Sequence, residues 1–428
     1  MIAPISGYCP RVVDQELDGL LAELPAVSLE GAKGVGKTET ARRRATTRYE
    51  LDQPGVLELL EADPRRVVTG PEPILIDEWQ LFPSSWDLVR RAVDEDPRPG
   101  RFILTGSASP ETPPTHSGAG RIVTVRMRPL ALSERDAEQP SVSLRELLTG
   151  ARPPITGSTR MSLDRYVDEI LVGGFPGMRS QPGRGQRARL DGYLDRIVDR
   201  DFSAMGHRIR NPTALRRWLE AYAAATATVA SYETIRDAST RGESDKPART
   251  TTAPYRDTLE RLWILEPLPA WVTSRNHLTR LTVGPKHHLV DPALAARLLG
   301  IDGGALLSGQ TVGPTIPRDG SLLGAFFEAL VTLDVRVYAQ GAEARVRHLR
   351  TKRGEREIDL VVVRDDQRVV AIEVKLSYEV DDEDVVHLQW LADKLGPDLL
   401  DAVVITTGEQ AYRRKDGIAV VPAALLGP

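Results

Sequence analysis

Apolar positions in the first third of the chain gather into short runs that end in polar chemistry. Ala26-Val27-Ser28-Leu29 leads into a glycine-rich stretch and then a polar, alanine- and arginine-rich helical segment. Ile74-Leu75-Ile76 ends in Asp77-Glu78, and Arg101-Phe102-Ile103-Leu104 ends in Thr105-Gly106-Ser107, with a helical pattern from Trp86 to Val93 between them. A further run, Ile122 to Met127, closes the unit before Pro129. Strands separated by helices require crossover connections, which predicts a parallel sheet covered on both faces.

The pattern then changes. From about Ser133 to Ser158 the chain is rich in Pro, Ser, Thr and charge, which predicts a linker or irregular connection. Tyr166, Ile170 and Leu171 fall at helical spacing, followed by Gly173-Gly174-Phe175-Pro176-Gly177, a helical stretch from Leu190 to Phe202, and an apolar face of Leu215, Trp218, Leu219 and Tyr222. From Tyr232 to Trp271 the sequence reads as a short helix, a polar loop at Arg241 to Arg249, a longer helix ending near Trp263, and a strand pair around Pro267. That is the layout of a winged helix. From Leu322 a helix containing Phe326, Phe327 and Glu328 leads into a strand-rich region.

A chain of 428 residues is too long for one core and predicts two to four domains. Hydrophobic residues at 41% and charged residues at 27% argue against disorder or a membrane class. No segment has the apolar length of a membrane span, and the N-terminus lacks a charged leader with an apolar run, so the expected compartment is the cytoplasm. The single cysteine, Cys9, cannot form an internal disulfide. A formal net charge of −4 gives no global case for nucleic-acid binding, which would have to come from local basic patches.

Gly31-Ala32-Lys33-Gly34-Val35-Gly36-Lys37-Thr38 matches the Walker A pattern at every fixed position, after a strand and at the start of a helix. Glycines let successive backbone N–H groups wrap a phosphate, and the helix N-terminus favours anions. Lys37 is expected to pair with phosphate oxygens and Thr38 to hold Mg²⁺; Glu39 follows in the first helical turn. Asp77, at the end of a buried strand, would organise Mg²⁺, and Glu78 would polarise the attacking water. Ser107 is placed to touch the terminal phosphate or the water, and Arg121 to reach a phosphate in a neighbouring subunit, which would imply a homo-oligomer.

Taken together, Gly31 to Thr38, Leu75-Ile76-Asp77-Glu78, Leu104-Thr105-Gly106-Ser107, and Gly120-Arg121 followed by Pro129-Leu130 resemble a family of prokaryotic AAA+-like ATPases that carry a C-terminal domain of unknown function. The resemblance spans nearly the whole chain, with further markers at Val172 to Pro176, Tyr193 to Asp201, Glu357-Ile358-Asp359 and Glu373-Val374-Lys375. It implies ATP as ligand, and a lid element, Gly174-Phe175-Pro176, that packs against the nucleotide.

The terminal markers carry their own chemistry. If Asp366 sits at a hairpin tip, Asp359 lies opposite Glu373 and Glu357 opposite Lys375, all on one face. Carboxylates directly across a ladder repel, and a divalent cation beside Lys375 would offset this. The pattern is that of PD-(D/E)XK nucleases, with Glu328 as the glutamate on a preceding helix. The resemblance implies Mg²⁺, or Mn²⁺, on Glu328, Asp359 and Glu373 and stabilisation of developing charge by Lys375.

The expected fold is thus α/β: a P-loop parallel-sheet ATPase core over residues 1–135, a linker and helical lid over 136–210, a winged-helix-like domain over 211–290, and a nuclease-like α/β domain over 291–428. The expected function is a Mg²⁺-dependent ATPase acting on DNA or another nucleic acid. Arg184, Arg187, Arg189, Arg208 and Arg210, and the run Arg345 to Arg353, are the candidate basic patches, diluted by Asp191, Asp195, Asp199 and Asp201. The alternative is an ATP-dependent switch acting on a protein partner, its nuclease-like domain inactive. Salt-sensitive DNA binding would separate the two.

Overall fold

The computed structural model describes residues 7–108, 118–179, 183–206, 211–240, 249–272, 284–307, 320–351 and 354–428. Arg208, Arg210, Lys352, Arg353 and most of the predicted polar loop at 241–249 lie outside them.

The N-terminal sheet contains β1 (Ala26–Glu30), β2 (Thr47–Glu50), β3 (Ile74–Asp77), β4 (Phe102–Gly106) and β5 (Ile122–Arg126). Its order is β2-β3-β4-β1-β5, and every neighbouring pair is parallel. One face buries Ala26, Ile74, Ile76, Phe102 and Leu104 against Trp86, Val89 and Val93 of the helix Ser84–Glu95. Leu75 and Ile103 bury on the other face against Ala41 of the helix Lys37–Arg42. Cover on both faces is why Ile74-Leu75-Ile76 is apolar throughout rather than alternating. The order matters for chemistry, because β4 stands between β1 and β3. Its carboxyl end, Thr105 to Ser107, therefore lies beside both the glycine loop and Asp77-Glu78.

The helices Leu163–Val172, Arg184–Arg196, Pro212–Ala224, Tyr232–Ala238, Arg249–Arg261 and Pro292–Leu298 follow in the middle of the chain. Beyond the Arg249–Arg261 helix, antiparallel bridges join Leu265 to Leu289 and Leu268 to Lys286.

A mixed sheet of eight strands closes the chain. Its strands are β7 (Gly157–Ser158), β8 (Ala270–Trp271), β9 (Arg345–Arg350), β10 (Glu357–Val363), β11 (Val369–Val374), β12 (Leu399–Thr406), β13 (Gln410–Arg413) and β14 (Ala419–Pro422), in the order β7-β13-β14-β12-β11-β10-β9-β8. The helix Gly320–Gly341 packs Phe326, Phe327 and Leu330 in the same core as Leu360, Val362, Val370 and Ile372. The helix Val386–Leu395 covers the opposite face with Leu388 and Leu391. The β10–β11 hairpin pairs Leu360 with Ile372 through Val363 with Val369, a register that carries Asp359 to the rung opposite Glu373.

The stretch expected as a linker is instead packed. Val142–Ser143 (β6) pairs in parallel with Leu426–Gly427 (β15), Gly157 and Ser158 pair with Ala411 and Gln410, and Leu144, Leu147 and Leu148 are buried. The few apolar residues in this polar segment are the ones that dock, outweighing its turn-rich composition. Likewise Trp271 joins the terminal sheet through Leu349, so that sheet draws strands from well before residue 291. Among the described residues no helix is long and apolar enough to cross a membrane.

A buried ion cluster locks the N-terminal domain to the helices after it. Glu169, at 0% exposure, lies 3.2 Å from Arg135, 2.9 Å from Arg179 and 3.1 Å from Arg165. Arg135 and Arg179 are themselves buried, so each needs this carboxylate. Glu169→Ala is expected to lower unfolding stability by about 3–5 kcal/mol, the cost of stranding a buried partner. Urea titration checks this, and a loss below about 1 kcal/mol would mean that backbone acceptors suffice.

Candidate functional site

The glycine loop leaves β1 at Glu30 and enters the helix Lys37–Arg42. A Cβ on Gly31 would collide with the carbonyl oxygen of Met127, so only glycine fits where β5 passes the loop. Lys37 is 4% exposed, and its ammonium donates to the carbonyls of Gly31 (2.8 Å) and Ala32 (2.9 Å). Burial pushes its pKa down to about 8, partly opposed by Glu78 and Asp77. Arg11 braces the loop from outside, donating to the carbonyls of Val35 (2.9 Å) and Arg128 (2.8 Å). Lys33 pairs with Asp201 at 2.7 Å, and Glu39 is exposed.

Opposite the loop, Thr38 Oγ1 donates to Asp77 Oδ1 at 2.9 Å, and Thr105 donates to the same oxygen. Burial raises the Asp77 carboxyl, which the two hydroxyls counter. Thr105 Oγ1 also accepts from the Glu78 backbone N–H at 3.1 Å. Glu78 adopts a left-handed backbone (φ 55°), and its carboxylate accepts from Ser107 Oγ at 2.8 Å and from the Gln80 amide. Four side chains, Thr38, Gln80, Thr105 and Ser107, thus orient the two carboxylates that sequence reasoning singles out. Thr105 and Gln80 serve as orienting groups that it left unassigned, although Thr105 was visible as one of two hydroxyls at a strand end.

Phe175 and Pro176 lie against the loop: a Cβ on Gly34 would sit 3.8 Å from the Phe175 ring and one on Gly36 3.9 Å from Pro176. Tyr193 packs against Phe175 with ring centroids 5.2 Å apart and planes inclined by 51°, and donates to the Lys33 carbonyl at 3.2 Å. The turn is pinned from beneath, since Gly174 N donates to Asp291 at 2.6 Å and its carbonyl accepts from Leu130 N at 2.7 Å. A Cβ on Gly174 would come within 2.5 Å of the Leu130 carbonyl oxygen.

Arg121 is elsewhere. It stands at the amino end of β5, 48% exposed at its side chain and ion-paired with Asp94 at 2.8 Å, so the length of the strand separates it from this nucleotide edge. A contact within one chain is ruled out by that placement. The arginine at the loop end of β5 is Arg126, in register with Glu30, stacked 3.8 Å from the Trp263 ring centroid and 3.7 Å from Glu266. Burial depresses its pKa to about 9.

The donor set suits a magnesium-bound triphosphate: a ring of backbone amides, one buried ammonium, and a hydroxyl–carboxylate pair of hard oxygens. Gly31 to Thr38 would cradle the phosphates, and Thr38 and Asp77 would hold the ion, which supplies charge neutralisation when bound.

A second constellation forms in the terminal sheet. Glu328, Glu357, Asp359, Glu373, Lys375 and His387 line one open cavity of about 610 Å³. The position expected for a divalent ion is filled, however, by a side chain absent from the sequence reading. Lys286 Nζ lies 2.9 Å from Glu328 Oε1, 3.0 Å from Glu357 Oε1 and 2.9 Å from Asp359 Oδ1. Among the described residues, no group of three or more His, Cys, Asp or Glu side chains is disposed to hold a metal, and of the expected ligands Glu328, Asp359 and Glu373, the first and second face the Lys286 ammonium instead. Burial, with Asp359 nearby, raises Glu328 to about 8 and lifts Glu373 well above its usual range, while Lys286 holds Asp359 low. Lys375 stands 3.8 Å from Glu373 and 3.9 Å from Asp384. Nothing in the local sequence around Gly284-Pro285-Lys286 marks that lysine; only the tertiary fold brings it in.

The sheet order, glycine loop and paired carboxylates define a P-loop ATPase domain of the AAA type, and residues 23–135 match the family model described as an AAA domain. Residues 163–304 match a domain of unknown function (DUF8612), and residues 323–426 match another (DUF4143). The chain therefore joins an AAA-type P-loop ATPase domain to a C-terminal domain of the DUF4143 type. Uncharacterized proteins of Mycobacterium bovis and Mycobacterium tuberculosis are each 27% identical over 288 residues, or 66% of this chain. The chain spans 58% of the length of those curated relatives. A Walker-type ATPase of Pyrococcus abyssi superposes with a TM-score of 0.39 at 17% identity, over 67% of this chain and 94% of that one.

The lowered Lys37 value has a sign that can be measured. Below about pH 8 the ammonium is already charged, whereas above it the free protein must take up a proton to meet a triphosphate. ATP affinity is expected to weaken by up to about tenfold per pH unit above that point, with proton uptake per ATP bound approaching one. Calorimetry in buffers of different ionisation enthalpy reads both, and flat affinity and no added uptake through about pH 9.5 would contradict the burial effect.

Proposed function

We propose that this protein is a Mg²⁺-dependent ATP hydrolase whose P-loop domain drives a nucleic-acid-directed, nuclease-like C-terminal module. The observation that carries the ATPase half is the hydroxyl–carboxylate pair, Thr38 to Asp77, with Glu78 fixed beside it by Ser107 and Gln80. In this reading Glu78 takes the proton from the attacking water as its oxygen bonds to the terminal phosphorus and the bond to the bridging oxygen breaks. Lys37 neutralises charge on the phosphates, Ser107 keeps Glu78 aimed, and Phe175 and Pro176 cover the loop. Exposed Arg121 would serve a neighbouring subunit in a homo-oligomer.

The nucleic-acid half is supported by the helix–strand–strand placement of Glu328, Asp359, Glu373 and Lys375 around one cavity, and by the Arg345, Arg347 and Arg350 strand beside it. The three-helix segment before it, with its paired Leu265 to Leu289, fits a winged-helix contact with DNA. A second reading, an ATP-dependent switch acting on a protein partner, draws support from the Lys286 ammonium lying where a catalytic cation would bind.

Lys37→Ala is expected to abolish tight ATP binding, and Glu78→Gln to bind ATP with turnover reduced roughly 100-fold or more. Normal hydrolysis by Glu78→Gln would overturn the base assignment. Single- and double-stranded DNA and RNA, incubated with Mg²⁺ or Mn²⁺ with and without ATP, should be cleaved by the wild type and not by Asp359→Ala. Cleavage that survives Asp359→Ala would remove the nuclease reading, and a folded, ATP-hydrolysing wild type inert on all four would favour the switch.

A further inference from the structure

Arg126 ends β5 on the rung across from Glu30, the residue before the glycine loop, and the next residue, Met127, passes close against Gly31. All three of its guanidinium nitrogens are buried, and among the described residues none has a hydrogen-bond partner. With a pKa of about 9 the group keeps its charge at neutral pH, so a full set of N–H donors stands desolvated and unmatched.

The neighbours hold this side chain without satisfying it. Trp263 offers its ring at 3.8 Å, and does so from a left-handed backbone (φ 61°) that is costly for a bulky residue. Contact with a ring face attracts the cation but supplies no acceptor in the plane of its N–H groups. Glu266 is 3.7 Å away, and its Oε1 is already taken by Arg128 Nε and Nη2 at 2.9 and 2.7 Å. Arg336 lies 3.6 Å from the same carboxylate. Glu30, across the rung, accepts from Ser28 Oγ at 3.2 Å. Three guanidinium groups therefore meet at one carboxylate, an excess of positive charge that calls for an anion.

Position says which anion. The spacing of about 4.8 Å between paired strands is well within the length of an arginine side chain, so the guanidinium is in reach of the start of the glycine loop. There the Lys37 ammonium donates to the carbonyls of Gly31 and Ala32. The Arg126 charge weighs against that ammonium more than the charge of Lys33, which belongs to the loop itself. Lys37 is the group expected on terminal phosphate oxygens, and two cations face one gap where a polyanion is to enter.

Resting on the ATPase reading above, we propose that Arg126 is a catalytic arginine acting within its own chain. Its guanidinium bonds the terminal phosphate of ATP held at the glycine loop. It stabilises the charge that grows there as the oxygen of water bonds to phosphorus, its proton passes to Glu78, and ADP departs with the bridging oxygen.

Arg126→Met in the full chain tests this, with ATP, a non-hydrolysable ATP analogue and ADP, each supplied with Mg²⁺. Turnover should fall at least about 100-fold. Affinity for the analogue should fall about tenfold or more, while affinity for ADP stays within about threefold of the wild type. The melting temperature of the nucleotide-free variant should hold or rise, because an unbonded buried charge gives way to an apolar side chain. Arg126→Lys keeps a charge without the planar fork, should show a smaller loss of the same kind, and serves if Arg126→Met does not fold. Unchanged turnover and analogue affinity in a folded variant would overturn the role of Arg126 and leave the ATPase reading standing. So would equal losses for the analogue and ADP, or a lower melting temperature with both affinities intact, which would mark an arginine that only braces Glu266. A folded wild type that binds neither nucleotide would remove the ATPase reading and this role together.

Discussion

A carboxylate with no access to water must find donors, and those found by Asp291 organise much of this molecule. At 0% exposure it accepts from Gly174 N and Ala293 N, so one side chain caps the Pro292–Leu298 helix and pins the turn beneath the glycine loop. Burial raises its carboxyl, and the backbone donors together with Arg135 and Arg179 oppose that rise. Neither a hydrophobic contact nor a flexible surface pair would set position so narrowly, because a buried acceptor tolerates little displacement of its donors.

The same logic recurs at larger range. Glu266 gathers Arg126, Arg128 and Arg336, which joins β5, the connection after it and the Gly320–Gly341 helix. Gln340 continues the tie, accepting from Arg128 at 2.6 Å and donating to Glu16 at 2.7 Å and to the Arg126 carbonyl at 2.8 Å. Leu132 N donates to Asp334 of that helix at 2.9 Å. One long helix thus carries Glu328 in the carboxylate cluster and, twelve residues on, Gln340 at the edge of the nucleotide domain, about 18 Å away along its axis.

What was legible in the sequence followed from chemistry that is local in the chain. The glycine loop declares itself because amide cradle, lysine and hydroxyl all lie within eight consecutive residues, and Asp77-Glu78 because a strand delivers them as a pair. The hairpin of Asp359 and Glu373 was readable because alternation and a single turn fix its register. Lys286 was not, since it meets Glu328 and Asp359 across separations of 42 and 73 residues. For Arg121 the direction of β5 decides which chain it can serve: a parallel strand puts its first residue at the edge away from this chain's own phosphates. The stretch around Val142 read as a linker because composition reports solvation and says nothing of a distant strand such as Leu426–Gly427 waiting to pair.

Pairing of this kind has a consequence for how the molecule can be divided. Because β7 is supplied by Gly157–Ser158 and β8 by Ala270–Trp271, the terminal sheet is assembled from three separate stretches of chain, and the ammonium of its carboxylate cluster comes from a fourth at Lys286. A fragment starting after residue 290 would bare the backbone of β13 at Gln410 and Ala411 and leave Glu328, Glu357 and Asp359 facing one another without their counter-charge. Such a piece would carry an unprotected sheet edge prone to self-association, so recombination or proteolysis that preserves this domain has to spare the chain on both sides of the helical middle.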